Sequence, residues 1–311
     1  MLPVSGTMKN STLDDGVHLA TSEIHFKRIL VGIDFSKQAA LALKTAIAIG
    51  EIFGSEIFLV NAVSLFVYGR GQEPILPEMI SAEIDSAKEE MKQIVASEPR
   101  LHGLRLKTTV AYAGAVDLIE QVATEEKVNL IVLGSQGSSG LERLVLGSVA
   151  ETVLRKAACT VLVVGPHCHA EQHPFRSILF ATNLETTGLR AAQYASALSE
   201  HVHGRLTLLH VIENQKDVPS VESGLTENRL KQELRSLLPA DVGLFCEPKV
   251  RLEYGSPAEL IPVVAESEAA SLIVVGLRDQ SALADHSPWS TLSHVIREAK
   301  CGVLGVRGHL L

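Results

Sequence analysis

Residues 129–149 read NLIVLGSQGSSGLERLVLGSV. An apolar run of strand length closes on Gly134 and breaks into a turn holding Gly137 and Gly140. The chain then reaches Gly147-Ser148 at the start of a helical pattern. Glycine at a strand end permits tight turns and close approach of backbone to a ligand. Ser148 is a candidate helix N-cap, and the free N–H groups of a helix start suit phosphate oxygens. Ser135, Ser138, Ser139 and Ser148 add hydroxyl donors. A tight connection without a ligand is the plainer reading of any glycine-rich turn. Strand, loop and helix in this order, however, place the run at the carboxyl end of a strand, where open parallel sheets bind ligands.

Outward from this stretch the chain alternates. A strand at 28–33 precedes a helix over 36–52 and a second strand at 57–63. A helix over 79–96, a strand at 106–112 and a helix over 116–125 lead into the quoted strand, and a helix over 147–156 precedes a fifth strand at 160–164. Near-continuous Val/Ile/Leu strands separated by helices predict a parallel sheet covered on both faces. The pattern then recurs. Residues 112–164 align without gaps to 254–306, with 20 of 53 positions identical, among them Tyr112 with Tyr254 and Cys159 with Cys301. Nearer the front the offset is 149, and FKRILVGIDFS from Phe26 answers FRSILFATNLE from Phe175. The change of offset predicts extra residues in the first copy, near 64–77. A period near 145 residues exceeds a solenoid unit and marks a duplicated domain.

The expected organisation is a flexible tail at 1–25, a first domain at 26–165, a linker at 166–174 and a second domain at 175–308. Composition narrows the class. With 311 residues, 46% hydrophobic, the chain is long enough for two cores. A net charge of −8 without a dense Lys/Arg cluster argues against nucleic acid as partner. No apolar run approaches the length of a membrane span, and residues 1–25 lack the apolar core of a signal peptide, so a soluble cytoplasmic protein is expected. Four cysteines without paired short spacing do not form a disulfide framework.

The spacing of the loop is more specific than its glycine content. It is neither Walker A nor G-x-G-x-x-G but G-x2-G-x9-G-S, from Gly134 to Ser148. This spacing resembles the ATP-binding type of the universal stress protein family, as does the opening motif GIDFS at 32–36. The stretch from about 26 to 307 is similar to a tandem pair of such domains. The resemblance implies two doubly wound α/β domains of the adenine nucleotide alpha hydrolase-like kind, each with a five-stranded parallel sheet of order 3-2-1-4-5. It also implies that the last strands of the two domains pair, giving a dimer-like arrangement within one chain. Carried over by position, Gly32, Ile33 and Asp34 would contact the nucleoside, and Ala62 would line the adenine pocket, where the family usually has valine. Leu133 and Gly134 would approach ribose and phosphates, while Gly137, Gly147, Ser148 and Val149 would hold the phosphates. Magnesium is the natural companion of bound ATP. An N-cap or loop carboxylate is the plain alternative for Asp34.

The second copy keeps Gly276 and Ser290 but has Asp279 for Gly137, Trp289 for Gly147 and Asn183 for Asp34, with Pro288 ahead of the helix. A carboxylate opposes a triphosphate, and tryptophan obstructs close backbone approach. The second domain is therefore expected not to bind ATP in the same way, leaving Arg278, Asp285 and His286 open to another ligand. His167, Cys168, His169 and His173 are metal-ligand types, but a solvated linker is the plainer reading. Cys159 and Cys301 read as buried packing residues. Tyr68 and Arg70, in the inserted loop, and Arg143, between the motif glycines, read first as surface residues.

No catalytic constellation is visible, and the loop lacks a P-loop lysine. The resemblance implies a cytoplasmic ATP-binding stress-response module, regulatory or adaptor in kind, in which ATP orders the loop at 135–147 for an unidentified protein partner. Alternatives are a slow ATPase or nucleotide-processing enzyme on the same fold, and an architectural pseudo-dimer without nucleotide. Further homodimerisation is left open.

Overall fold

A computed structural model describes residues 24–64, 77–137, 146–169, 173–185, 188–213, 223–239, 247–277 and 287–307. The first half runs β1 (Arg28–Gly32), α1 (Lys37–Phe53), β2 (Glu56–Val63), α2 (Pro77–Ser97), β3 (Arg105–Tyr112), α3 (Ala115–Glu125), β4 (Leu130–Gly134), α4 (Ser148–Lys156) and β5 (Thr160–Val164). The second repeats the order as β6 (Ser177–Ala181), α5 (Gly188–His201), β7 (Arg205–Ile212), α6 (Ser223–Ser236), β8 (Lys249–Tyr254), α7 (Pro257–Ser267), β9 (Leu272–Leu277), α8 (Ser287–Glu298) and β10 (Gly302–Arg307). A short 3₁₀ turn at Pro99–Gly103, absent from the sequence reading, delivers the chain from α2 to β3.

Each half has the order 3-2-1-4-5, and the two sheets are one: β3-β2-β1-β4-β5-β10-β9-β6-β7-β8. Every pairing is parallel except the junction, where β5 and β10 run antiparallel with Leu162 opposite Leu304. The terminal strands pair as the resemblance implied, and this covers one of the two edges that each half alone would leave open. The outer edges carry charge instead, with Arg105 and Lys107 exposed on β3.

The central strands are buried on both faces: Ile29, Leu30 and Val31 on β1 and all of β5 are shielded from solvent. On one face α1 and α5 pack with Phe26, Phe175 and Phe180; on the other α3, α4, α7 and α8 pack over Leu133, Val163 and Val303. Both cores run across the junction. Helix α1 is delimited locally. The Ser36 hydroxyl caps its start by accepting from the Ala39 N–H at 3.1 Å, and Gly54 closes it in the left-handed conformation at φ 62°.

The reading of 166–174 as a solvated linker needs one correction. Cys168 is buried; its Sγ accepts the Gly165 N–H at 3.2 Å and faces the Ala299 carbonyl at 3.8 Å. The chain leaving β5 is thus packed onto the end of α8. Among the described residues no three His, Cys, Asp or Glu side chains converge on a metal site. Tyr68, Arg70, Arg143, Arg278, Asp279, Asp285 and His286 lie outside the described residues, as does most of the tail at 1–25.

Candidate functional site

From β1 the chain crosses to β2 on one side, while β4 lies on the other. The connections leaving the carboxyl ends of β1 and β4 therefore run in opposite directions, and the crevice between them is where open α/β sheets bind ligands. A cleft of about 180 Å³ opens there. Gly32, Ile33, Asp34, Ala62, Leu133, Gly134, Gly137, Gly147, Ser148 and Val149 all line it. These residues come from β1, β2, β4 and α4, and the fold brings all of them together. The volume is below the roughly 300–1,000 Å³ of a drug-sized ligand site, so the cleft has room for only part of a ligand of that size.

The β1–α1 connection is held in place. The Ile33 N–H donates to the Val60 carbonyl at 2.8 Å, and Asn61 Nδ2 donates to the Ile33 carbonyl at 2.8 Å. Phe35 then adopts φ 62°, unusual for a side chain of its size. Asp34 Oδ1 accepts the Ser36 N–H at 3.0 Å, an Asx turn feeding the helix start. The loop carboxylate role is therefore real. Asn183, its counterpart in the second half, makes the same turn to the Glu185 N–H at 3.2 Å. An amide oxygen suffices for the turn, so the turn does not require the negative charge of Asp34.

Close approach of backbone explains one of the glycines, and a second faces a movable carboxylate. A Cβ at Gly134 would lie 2.8 Å from the Gln38 backbone, where β4 meets the first turn of α1. A Cβ at Gly137 would lie 2.9 Å from Asp34 Oδ2. The loop is closed on itself by the Gly147 N–H donating to the Ser135 carbonyl at 2.8 Å, and anchored by the Ser135 N–H donating to the Val164 carbonyl at 2.9 Å. One assignment changes: the N-cap of α4 is Gly147, not Ser148, and no side chain caps that helix start. Its first-turn N–H groups lack a side-chain acceptor and lie at the cleft.

Ser135 is the residue that sequence reasoning undervalued. It lines the cleft, is only 2% exposed, and among the described residues its hydroxyl has no hydrogen-bond partner. A buried hydroxyl without a partner costs about 1–3 kcal/mol. Ala39, Ala115, Ile119, Gln136 and Ala150 also line the cleft. Small residues at the first turns of α1, α3 and α4 were the available signal. Among the lining residues none is cationic, so the site's attraction for an anion rests on backbone N–H groups and hydroxyls.

The model of the universal stress protein family matches the chain twice, at residues 25–165 and 174–307. The chain belongs to the universal stress protein family. A universal stress protein of Mycolicibacterium smegmatis is 24% identical over 293 residues, covering 90% of this chain and 96% of that one. A universal stress protein of Methanocaldococcus jannaschii is 30% identical over 159 residues, spanning 50% of this chain and 88% of that one. Among solved structures, a universal stress protein from Archaeoglobus fulgidus aligns with a TM-score of 0.68 at 20% identity, covering 92% of this chain and all of that one, and so shares the fold.

The second universal stress domain departs from the first at the equivalent place. His210 stands where Asn61 does and keeps its contact, with Nδ1 2.9 Å from the Thr182 carbonyl. Leu184 repeats the positive φ of Phe35, at 65°. Trp289, in the place of Gly147, stacks with the Arg155 guanidinium 4.4 Å from its ring centroid, so it contacts the first half's α4. Among the described residues, Cys159, Cys168 and Cys301 are packing residues. Burial pushes the Cys159 and Cys168 thiols up to about 11, which suppresses the thiolate a nucleophile or ligand requires.

Proposed function

We propose that this universal stress protein binds ATP in its first half, in the cleft between β1, β4 and α4, and serves as a cytoplasmic stress-response module of regulatory or adaptor kind. The observation that carries the reading is the buried Ser135 hydroxyl, without a partner among the described residues, in a cleft lined by all ten residues that the family resemblance assigned to nucleotide. That donor fits a phosphate or ribose oxygen, and so do the uncapped N–H groups at the start of α4. Asp34 and Ala62, on the β1–β2 side, would take the adenosine end. A magnesium ion would sit mainly on phosphate and water oxygens, neutralising phosphate charge. The domain assignments are part of the proposal: residues 26–165 hold nucleotide, 166–174 connect, and 175–308 form a degenerate copy. No helix among the described residues is long and apolar enough to cross a membrane.

The test is to denature the purified protein, identify the released nucleotide and count it, then titrate the stripped protein with ATP, AMP and cyclic AMP. The expected result is one ATP per chain, lost on Gly137→Val, with at most a single slow turnover to ADP. Two equal sites per chain, or none, would sink the proposal. Many turnovers per chain would replace the binding module with an enzyme.

A further inference from the structure

Helix α4 has nine residues, too few for an isolated helix to persist in water. Its start borders the candidate phosphate cleft, and its other end is gripped by the second half. Arg307, at the end of β10 and 7% exposed, donates from Nη2 to the Leu154 carbonyl at 2.6 Å and from Nε to the Ala157 carbonyl. These carbonyls lie at the helix C-terminus, where acceptors lack partners and a cation is favoured by the helix dipole. On the flank of the same turn, Arg155 bonds Glu151 at 2.8 Å and lies under the Trp289 ring of α8.

The return grip is different in kind, for the end of α8 meets the neutral Cys168 thiol at the Ala299 carbonyl, 3.8 Å away, and no cation from β5. Gly165, the counterpart of Arg307, has no side chain to return, and a Cβ there would lie 2.1 Å from the Ile296 carbonyl of α8. Gly147, the counterpart of Trp289, offers no ring. Arg297, the counterpart of Arg155, bonds Glu298 at 2.7 Å and His294 at 2.8 Å within its own half. A mere adhesive between duplicated domains has no need of this asymmetry. The tryptophan that replaced a phosphate-loop glycine in the second half now touches the helix that carries the phosphate loop's end in the first.

We infer that the second half is a positioning subunit for the first half's site: Arg307 and Trp289 set the placement of α4 and thereby the affinity of the cleft for nucleotide. This rests on the reading that the cleft binds ATP. It assigns the degenerate domain a task that needs no ligand of its own. Because coupling between two sites is reciprocal, nucleotide bound at the start of α4 must in turn alter the contact at Trp289.

Trp289 is the only tryptophan in the chain, so its emission reports that contact directly. Full-length protein, stripped of nucleotide, is titrated with ATP by equilibrium dialysis and by tryptophan fluorescence in parallel. The expected result is an emission change with the dialysis midpoint. Trp289→Ala and Arg307→Met should weaken Kd by about fivefold or more with native circular dichroism retained, and Trp289→Phe should recover most of the loss. An unchanged Kd in folded variants overturns the inference, as does silent emission while dialysis shows saturation. If neither variant folds, the wild-type emission decides alone. Failure of the wild type to bind ATP in dialysis instead overturns the underlying reading, and the inference falls with it.

Discussion

Phe26 and Phe175 are 149 positions apart in the chain and 6.4 Å apart between ring centroids. They precede β1 and β6, hold matching places in the repeat, and are each 1% exposed. Phe53 packs edge-on to Phe26 at 5.5 Å and meets Phe175 at 5.9 Å, while His201 stacks on it at 4.7 Å. The duplicated domains are therefore welded by this aromatic cluster as well as by the β5–β10 ladder and the contacts around α4 and α8.

Phe26→Ala removes a ring from the cluster and should destabilise the chain by about 3–5 kcal/mol. Because the cores are continuous across the junction, urea should unfold both halves in a single transition, followed by circular dichroism and Trp289 emission together. Separate transitions, or a loss below about 1 kcal/mol, would show that the halves stand independently.

Glu268 gives an acid-sensitive contact. Hydrogen bonding from Lys249, at 2.7 Å, chiefly holds its carboxyl below the usual range, and Arg251 adds to this against an opposing effect of burial. A depressed folded-state pKa contributes stability above the unfolded value of about 4.3, and that stability is lost as pH falls through the folded pKa. Glu268→Gln should therefore be less stable than wild type at pH 7, with the gap narrowing below about pH 4. Urea titrations at each pH measure it, and a gap independent of pH would refute the assignment. The same pair recurs as Lys107 and Glu126, 3.2 Å apart, so the contact is a shared feature of the two copies.

What the sequence disclosed was local or repeated. The strand–loop–helix order around Gly134 and the offset of 142 disclosed a duplicated α/β domain, while the strand order and the ten cleft residues came with the resemblance carried by the loop spacing and the GIDFS motif. Three features were not legible for a physical reason. The Ser135 hydroxyl differs from its neighbours only through burial, which one strand end does not reveal. Arg307 finds the carbonyls of Leu154 and Ala157 some 150 positions away, a pairing created by the antiparallel junction. Trp289 read as an obstruction in its own half, and only the fold shows its ring on Arg155.

Asp34 separates turn from charge. Since Asn183 performs the same turn, Asp34→Asn should leave Tm within about 2 °C, a surface-scale change below roughly 0.5 kcal/mol. If the carboxylate accepts a hydrogen bond from nucleotide, ATP binding should weaken by about tenfold. Thermal melts of the stripped protein and dialysis of the same sample give both numbers. A large fall in Tm would mean that the charge serves the fold, and the argument for a ligand contact from Asp34 would fail.

Ser135 makes the opposite prediction to most buried substitutions. Removing a buried side chain ordinarily destabilises, but here the lost atom is a hydroxyl without a partner among the described residues, 2% exposed, in a residue of small volume. Ser135→Ala should leave the stripped protein as stable as wild type or more so, by up to about 1 kcal/mol, because the desolvated hydroxyl is relieved. With saturating ATP the order should reverse, since wild type alone supplies the donor to the ligand and gains more from binding. Melting both proteins with and without ATP tests the crossover. A variant that is less stable in both conditions by the same amount would place the hydroxyl in the fold's own hydrogen bonding and remove the main support for a ligand in this cleft.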